Sequence, residues 1–482
     1  MRRIILYSIY FILFTIINLV SQDKPDDYGS LFIRAINSSS EVEQKDIISK
    51  IFSQSALDEV GMDRLYSFIK RIHSDYAPLT YHHSETLSFN KPDGTSYIMH
   101  IYAKKDGELM WQDFQMRLDA EPPHKLKTIG FIAEVSEPIT LPNGSIEQKE
   151  TLDWLTSYIQ NLNSEYDLYG SILVAKGNNI ILEKYFGFAD QEKTIPINSN
   201  SLFGMASGGK MFTALCIAKL VENKKINFDD QLTKYIDDFS DKTKADKITI
   251  HHLLTHTSGV GQYWWGQKSD AFSNATTIND HVKMVLAAGL KTDAGKEYEY
   301  NNSNYILLGA IIEKVAGKDY FTFVKENILD KAGMNNSGYF TKEKNNVASP
   351  MIRSEEKDKW VEVERGKGKG SSAGGSYSNV SDMLKFSNAL RSGLIVSKET
   401  LKNMISVKNN NMVATEDYGY GFIIQKFDNE LCYGHGGTAK GVNFEFSYFP
   451  NSDITVVIFS NQDNGAYDDL KRNTIKLITG KR

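Results

Sequence analysis

A serine and a lysine three positions apart precede a long apolar segment of the chain. The sequence Ser207-Gly208-Gly209-Lys210 leads into residues that are apolar on nearly every helical face, which predicts a buried helix. At a helix start the serine hydroxyl lies near free backbone N–H groups and the positive end of the helix dipole, and the lysine lies on the same face. Such a lysine either loses its proton through desolvation and acts as a base or stays charged and assists electrostatically; the sequence leaves both open. The same spacing occurs elsewhere without a comparable helix behind it, at Ser21, Ser67 and Ser88.

A tyrosine and an asparagine further along the chain could serve the same reaction. Tyr300-Asn301-Asn302 stands just before the apolar run that begins at Ile306. The phenol can relay a proton between Ser207 and a leaving group, and the amide can hold a substrate carbonyl and the lysine. Two alternatives are a polar N-cap segment in front of a helix and a rival motif, Tyr377-Ser378-Asn379.

A third segment, His435-Gly436-Gly437-Thr438, lies late in the chain. Its glycines allow another chain to approach closely. If the segment is an edge strand beside the serine, it can pair with an extended substrate, and one of its N–H groups can complete an oxyanion hole with that of Ser207. The alternative is a glycine-rich turn between strands.

Together these segments resemble the serine hydrolases of the penicillin-recognising fold, which include class C β-lactamases, D,D-carboxypeptidases and their esterase and D-aminopeptidase relatives. The resemblance spans about residues 150 to 480. Besides the three motifs, two further segments match family landmarks, Leu253-Leu254-Thr255-His256-Thr257-Ser258-Gly259 and the pair Gly374-Gly375 before Asp382. The glycine pair places Tyr377-Ser378-Asn379 in a different landmark and so disfavours it as the second motif.

The resemblance implies a role for each motif residue. Ser207 would be the nucleophile, and Lys210 and Tyr300 would share the proton transfers. Asn302 would orient the substrate, and the N–H groups of Ser207 and Thr438 would form the oxyanion hole.

The third motif departs from the family pattern. Where β-lactamases and D,D-peptidases usually carry Lys-Thr-Gly, this chain has His435, Gly436 and Gly437, and so lacks a permanent cation and a hydroxyl. We therefore expect this segment to bind esters or amides other than those recognised through a carboxylate. If the His435 ring contacts substrate, activity should respond to pH near neutrality.

The hydrophobic patterns predict an α+β protein with two domains. Helical spacing over about residues 26 to 76 is followed by β-prone runs up to Leu118, which predicts a small α+β domain over residues 23–140. Its order of elements is similar to NTF2-like or cystatin-like modules. Residues 147–482 are predicted to form the β-lactamase-related serine hydrolase domain, with an antiparallel sheet assembled from both ends, flanking helices and a helical subdomain.

Composition and charge exclude several function classes. The 482 residues include 41% hydrophobic residues, enough for a substantial core, and 55 Lys and Arg against 60 Asp and Glu give a net charge of -5. This balance lacks the basic excess of a nucleic-acid-binding protein.

His252 and His256 have zinc-protease spacing, but Leu253 replaces the required glutamate, so we interpret both as structural and expect no metal or organic cofactor.

The first 21 residues have the pattern of a signal peptide. Arg2 and Arg3 precede an apolar run from Ile4 to Val20, and the small Ser21 follows. The alternative is an uncleaved anchor, which would be the chain's membrane contact. We therefore expect a periplasmic or secreted protein.

The two cysteines are predicted to be buried thiols rather than a disulfide framework. Cys216 lies nine residues past Ser207, which places it on the opposite side of the predicted helix.

The sequence thus predicts an exported serine hydrolase that acts on small-molecule esters, amides or peptides through a Ser207 acyl-enzyme. One alternative is a D,D-carboxypeptidase or β-lactamase that acts on cell-wall peptides or β-lactams. The other is a non-catalytic binding protein with the same fold.

Overall fold

The computed structural model describes residues 28–91, 94–108, 110–263, 274–340, 346–354, 359–363, 370–408, 417–427 and 430–480. The predicted signal segment, residues 1–21, lies outside them. The described chain forms two compact units. We call residues 168–463 the large unit, and residues 28–167 together with 464–480 the small unit.

The small unit pairs a four-stranded antiparallel sheet with helices. Its helices are α1 Tyr28–Asn37, α2 Glu41–Ile51, α3 Gln54–Glu59, α4 Met62–Tyr76, α5 Lys149–Tyr166 and α15 Gly465–Thr479. Its strands, which are also neighbours in this order, are β1 Leu79–Lys91, β2 Gly94–Lys105, β3 Trp111–Leu118 and β4 Leu126–Val135. Alternation along β2 and β3 directs Ile101 and Phe114 into a core with Phe32, Ile48 and Ile69 from the first helices. Strand β4 was not predicted.

Helices α5 and α15 belong to the small unit although the sequence places both in the domain 147–482. The Asn473 side-chain amide donates to the Tyr158 hydroxyl at 3.0 Å, which joins the two helices. The backbone N–H of Ser136, just past β4, donates to the carboxylate of Asp469 on α15. The small unit is therefore built from chain segments that precede and follow the large unit in sequence, and the predicted domain boundaries stay a prediction.

The large unit contains a seven-stranded antiparallel sheet assembled from both of its ends. The strands are, in spatial order, β12 Asp417–Tyr418, β13 Ile423–Phe427, β14 Glu430–Ala439, β15 Val442–Phe449, β16 Ile454–Ser460, β5 Gly170–Lys176 and β6 Asn179–Phe186. The pairing of β16 with β5 joins the late strands to the early hairpin. This arrangement confirms the predicted α+β class. Strand β14 runs through the third motif to Ala439, so the motif lies in a strand and not in a turn.

Short strands and helices complete the large unit. One small sheet has the order β7 Phe203–Ala206, β11 Ser376–Ser378 and β8 Gly338–Tyr339, and another pairs β9 Met351–Arg353 with β10 Trp360–Glu362. The helices are α6 Lys210–Glu222, α7 Lys242–Ala245, α8 Ile250–Leu254, α9 Ile278–Ala288, α10 Asn302–Ala316, α11 Tyr320–Val324, α12 Asp330–Ala332, α13 Val380–Ser392 and α14 Lys398–Met404. Lys325–Leu329 is a π-helical stretch.

Helix α6 is buried on nearly every side, as its sequence predicts. Cys216 on this helix is fully buried, and both it and Cys432 are free thiols. Burial raises the pKa of the Cys216 thiol well above its ordinary value, which keeps it unreactive. No helix in the described part of the chain is both long and apolar enough to cross a membrane.

We expect Asp469→Ala to destabilise the small unit. Asp469 is fully buried and pairs with Arg472, so the substitution leaves that guanidinium without its carboxylate and the Ser136 N–H without its acceptor. Breaking a buried ion pair from one side lowers the free energy of unfolding by about 3–5 kcal/mol. Calorimetric melting and hydrogen exchange of α15 measure the loss.

The matched control is Asp153→Ala on α5, whose side chain is 64% exposed and pairs with Lys149. It should change the free energy of unfolding by less than about 0.5 kcal/mol. Equal effects of the two substitutions would show that the buried pair does not stabilise this unit.

Candidate active site

Ser207 lies where strand β7 turns directly into helix α6. A single 3-10 turn, Ser207–Gly209, separates the strand end at Ala206 from the helix start at Lys210. Ala206 adopts φ 42° and ψ -121°, a backbone conformation that residues other than glycine rarely adopt. This strained residue sharpens the turn and presents the serine at the start of the buried helix.

The Lys210 amine nitrogen occupies a fully buried position beside the serine. Nζ lies 3.0 Å from Ser207 Oγ, 2.5 Å from Asn302 Oδ1 and 2.7 Å from the Ala373 carbonyl oxygen. The side chain has no solvent-exposed surface. Three segments far apart in the chain therefore converge on one amine.

This environment favours a neutral lysine. Burial lowers the pKa of the Lys210 amine well below its ordinary value. A neutral amine has two N–H donors, which match the two acceptor oxygens of Asn302 and Ala373, and one lone pair, which remains for the Ser207 hydroxyl. The lowered pKa favours the base, whereas the three oxygen contacts of Nζ fit an amine and an ammonium equally, so the role of Lys210 stays a prediction.

Two aromatic rings face the same nitrogen. Nζ lies 4.9 Å from the ring centre of Tyr300 and 5.6 Å from that of Tyr305. Aromatic faces attract a cation, most strongly where water is excluded. The rings can therefore stabilise the ammonium that forms when Lys210 accepts a proton.

Tyr300 supplies a protonated phenol. Its hydroxyl oxygen is buried, and burial raises the pKa of the phenol well above its ordinary value, although a hydrogen bond with Ser207 acts in the opposite direction. A phenol that holds its proton suits the relay to a leaving group better than the role of base. Lys210 and Tyr300 thus have opposite pKa shifts, which is the difference that the predicted roles of base and proton relay need.

The second motif is positioned by the start of helix α10. The Asn301 side chain caps this helix by accepting the N–H of Ser303, and Asn302 is the first helical residue. Asn301 therefore caps the helix, while the adjacent Asn302 contacts Lys210. In the rival motif, Tyr377 pairs with Gly204 within the small sheet and Asn379 caps α13, which are structural positions.

The third motif passes directly over the serine. A Cβ atom on Gly437 would lie 2.1 Å from the Met205 carbonyl oxygen and 2.9 Å from Ser207 N, so only glycine fits. Strand β13 pairs with β14 only as far as Gly434. From His435 to Ala439 that edge of β14 has no strand partner among the described residues, and it includes the exposed Thr438.

His435 faces inward from this strand. It is buried, with Nδ1 2.5 Å from the Gly436 carbonyl oxygen and Nε2 3.0 Å from the Tyr418 hydroxyl. Because a carbonyl oxygen only accepts, Nδ1 carries the proton and the Tyr418 hydroxyl donates to Nε2. Burial, together with the nearby Lys210, lowers the pKa of His435 to about 3. The expectation of a His435 titration near neutrality does not fit this environment.

The glycine pair brings a backbone acceptor to the lysine. A Cβ atom on Gly374 would lie 2.7 Å from the Ala206 carbonyl oxygen, so the chain approaches the strained turn closely at this point. The preceding residue, Ala373, thereby places its carbonyl oxygen on Lys210 Nζ. The sequence marked the glycines as a family landmark but gave no sign of this contact.

The structure places Lys210 against Ser207, Tyr300 and Asn302, and it packs Gly437 of the third motif against Ser207. Sequence reasoning missed Ala373, which contributes through its backbone, and Tyr305 and Tyr418, whose side chains enter from α10 and β12. The roles assigned to the motif residues stay predictions.

Comparison with known proteins bears on the family. Residues 155–481 match the family model described as Beta-lactamase. Penicillin-binding protein 4* of Bacillus subtilis (strain 168) is 28% identical over 327 residues, covering 64% of this chain and 71% of that protein.

Solved structures agree with this match. The penicillin binding protein from Bacillus halodurans superimposes with a TM-score of 0.60 at 30% identity, over 67% of this chain and 98% of that one. The D-amino acid amidase from Ochrobactrum anthropi SV3 gives a TM-score of 0.58 at 22% identity, over 68% of this chain and 99% of that one, which shows a shared fold. The predicted β-lactamase-like fold is confirmed.

We expect the rate of Ser207 acylation to fall as pH is lowered through the depressed pKa of Lys210. Protonation removes the lone pair that accepts the serine proton, so activity is present above that pKa and lost below it. Lys210→Arg, which stays charged, should lower the rate by about 10²–10⁴-fold above that pKa and should show no such fall at acid pH. His435→Gln should not move this acidic fall in rate, because burial holds the pKa of His435 at about 3. If the fall in rate at acid pH disappeared in His435→Gln, the assignment of Lys210 as the titrating group would be wrong.

Gly437→Ala should abolish acylation, because a methyl group cannot fit between β14 and the backbone of Met205 and Ser207. Gly436→Ala is the matched control. A Cβ there would meet the Glu445 side chain at 3.1 Å and the Phe444 carbonyl oxygen at 3.6 Å, and the side chain can move. Two measurements on both variants test this contact: the rate at which a serine-reactive probe labels Ser207, and the melting temperature. Similar rates in the two would mean that β14 does not press on the serine.

Proposed function

Since this chain belongs to the Beta-lactamase family of serine hydrolases, we propose that it is an exported acyl hydrolase that acts through an acyl-enzyme on Ser207. The observation that carries the proposal is the 3.0 Å contact between Ser207 Oγ and a fully buried Lys210 whose pKa is lowered. A buried amine that contacts a serine hydroxyl is suited to act as the general base for that serine. A lysine with a purely structural role would not need this contact.

The reaction would begin with transfer of the Ser207 proton to Lys210. The serine oxygen then attacks the substrate carbonyl, and the backbone N–H groups of Ser207 and Thr438 stabilise the resulting oxyanion. Collapse breaks the bond to the leaving group, which receives a proton through the Tyr300 phenol. Water then attacks the acyl carbon and gives one proton to the same pair of groups. The bond between the acyl carbon and Ser207 Oγ breaks, Oγ takes that proton back, and the acid product leaves.

The substrate class follows from the charge of the motif residues. The pKa of His435 is about 3, both of its ring nitrogens bind protein groups, and the Lys210 amine is buried with a lowered pKa. The motifs therefore offer no standing cation to a substrate carboxylate. We propose neutral esters and amides as the preferred substrates, because they do not require an ionic partner.

Export is part of the proposal and rests on the sequence of residues 1–21, with its two arginines and its apolar run. A periplasmic or secreted location follows from such a segment. Fractionation of the producing cells, with mass spectrometry of the mature N-terminus, tests this location.

A second candidate is the binding of penicillins or the cleavage of cell-wall peptides. The names of two relatives favour it, penicillin-binding protein 4* of Bacillus subtilis and the penicillin binding protein from Bacillus halodurans. The absence of Lys-Thr-Gly at His435 to Gly437 argues for weaker recognition of the carboxylate that such ligands carry.

The test begins with a serine-reactive fluorophosphonate probe on the purified protein. We expect labelling of the wild type, loss of labelling in Ser207→Ala, and an adduct on the peptide that contains Ser207. An adduct on Ser258 or Ser378 would overturn the assignment, and an unlabelled, folded wild type would favour the non-catalytic binding protein.

A substrate panel then separates the two candidates. It compares small neutral esters, D-amino-acid amides, a chromogenic cephalosporin and a D-Ala-D-Ala peptide. Neutral substrates should be cleaved faster, because each forgone charged hydrogen bond to a carboxylate is worth about 1.5–3 kcal/mol. A D-Ala-D-Ala peptide cleaved faster than the esters would support the second candidate.

A further inference from the structure

We propose that His256 is a positioning residue that fixes Tyr300 against Lys210 and Ser207 by binding the backbone on both sides of it. This inference rests on the proposed function, in which Tyr300 transfers the proton. His256 follows helix α8 and is 1% exposed. It lies far from Tyr300 in sequence, and its interpretation as a structural histidine leaves its specific contacts unexplained.

Two hydrogen bonds from one residue bracket the tyrosine. The N–H of Glu299 donates to the His256 backbone carbonyl at 2.9 Å, and the N–H of Asn301 donates to the His256 ring atom Nδ1 at 3.1 Å. Tyr300 lies between these two donors. Its backbone is thus held at both neighbouring residues, so its Cα–Cβ bond has little freedom to change direction.

The imidazole also packs directly on the phenol. The ring centres of His256 and Tyr300 lie 4.4 Å apart. Lys210 Nζ also lies close to the tyrosine ring, at 4.9 Å from the ring centre. The two backbone hydrogen bonds therefore orient the Tyr300 side chain, and the packing of the His256 ring limits the movement of its phenol ring.

The proton arrangement of His256 suits an acceptor at Nδ1. Because the Asn301 N–H donates to Nδ1, the ring proton lies on Nε2, which is buried and has no hydrogen-bond partner among the described residues. Burial, followed by the proximity of Lys210 and His435, holds the pKa of His256 well below its ordinary value. The ring stays neutral, and the Nδ1 acceptor persists over the working pH range.

The backbone of His256 is itself unusual. Its φ of 59° lies in the left-handed region, which few residues other than glycine adopt and in which asparagine, aspartate and histidine are enriched. A histidine held there, with one ring nitrogen satisfied and the other buried without a partner in the described chain, points to a function for the satisfied nitrogen.

Two substitutions separate the acceptor from the ring. His256→Asn keeps an acceptor close to the position of Nδ1 and suits the positive φ, whereas His256→Phe keeps a ring and removes the acceptor. The acceptor role predicts that His256→Phe lowers the labelling rate of Ser207 by about 10²-fold, the loss typical of a catalytic group displaced by about an ångström, while KM for an ester stays close to that of the wild type. His256→Asn, which keeps the acceptor but loses the ring, should retain more of the rate than His256→Phe.

The control is His252→Phe. His252 Nδ1 also accepts a backbone N–H, that of Thr249 at 3.1 Å, but one helical turn earlier in the chain. The same substitution there should leave the labelling rate unchanged.

A double variant tests whether His256 acts through Tyr300. In a Tyr300→Phe background, His256→Phe should change the rate by no more than about twofold, because the group that it positions is already gone. An undiminished loss in that background, or equal rates for His256→Asn and His256→Phe, would overturn the proposal.

Fluorine NMR of fluorotyrosine placed at position 300 gives a readout that needs no activity. Wild type, His256→Asn and His252→Phe should each show one sharp resonance, and His256→Phe a broadened or split one. A single unshifted resonance in His256→Phe would refute the positioning role. If the wild type is not labelled by the probe, the proposed function fails, and this spectrum still decides the role of His256.

Discussion

Desolvation of one amine is the constraint on which the site depends. Lys210 has no exposed surface, and because water cannot reach it the charged form is disfavoured. A neutral lysine can accept a proton from Ser207 near physiological pH, which an exposed lysine could not do efficiently. The burial would be destabilising without acceptors for both N–H groups, and Asn302 and Ala373 provide them.

The surrounding fold assembles these partners from separate elements. The strained turn at Ala206 delivers the serine and lysine, the start of α10 delivers Tyr300 and Asn302, and the close approach at Gly374 delivers a carbonyl oxygen. Strand β14 packs Gly437 against the backbone of Met205 and Ser207. Each element is anchored in the common core of the large unit, so the precision of the site derives from packing rather than from the motifs alone.

The parts of the site that the sequence predicted are those encoded by short local motifs, namely Ser207 with Lys210 and Tyr300 with Asn302. Helix α6 was also predictable, because an apolar run of that length is typical of a buried helix. Ala373 was not, since a backbone carbonyl leaves no trace in residue types. His435 was assigned a substrate contact because the sequence could not reveal Tyr418 as its partner. Strand β4 was missed because Pro122 and Pro123 interrupt the β-prone pattern that precedes it.

The open edge of β14 has a second consequence. Unpaired strand edges are templates on which other chains can add strands and aggregate, and natural proteins keep them short or irregular. Among the described residues the unpaired edge runs only from His435 to Ala439 and contains two glycines, which form weak strands. An edge of this length can accept a short extended ligand but offers little to a misfolded neighbour. The short length of this unpaired segment thus limits strand addition by a second chain.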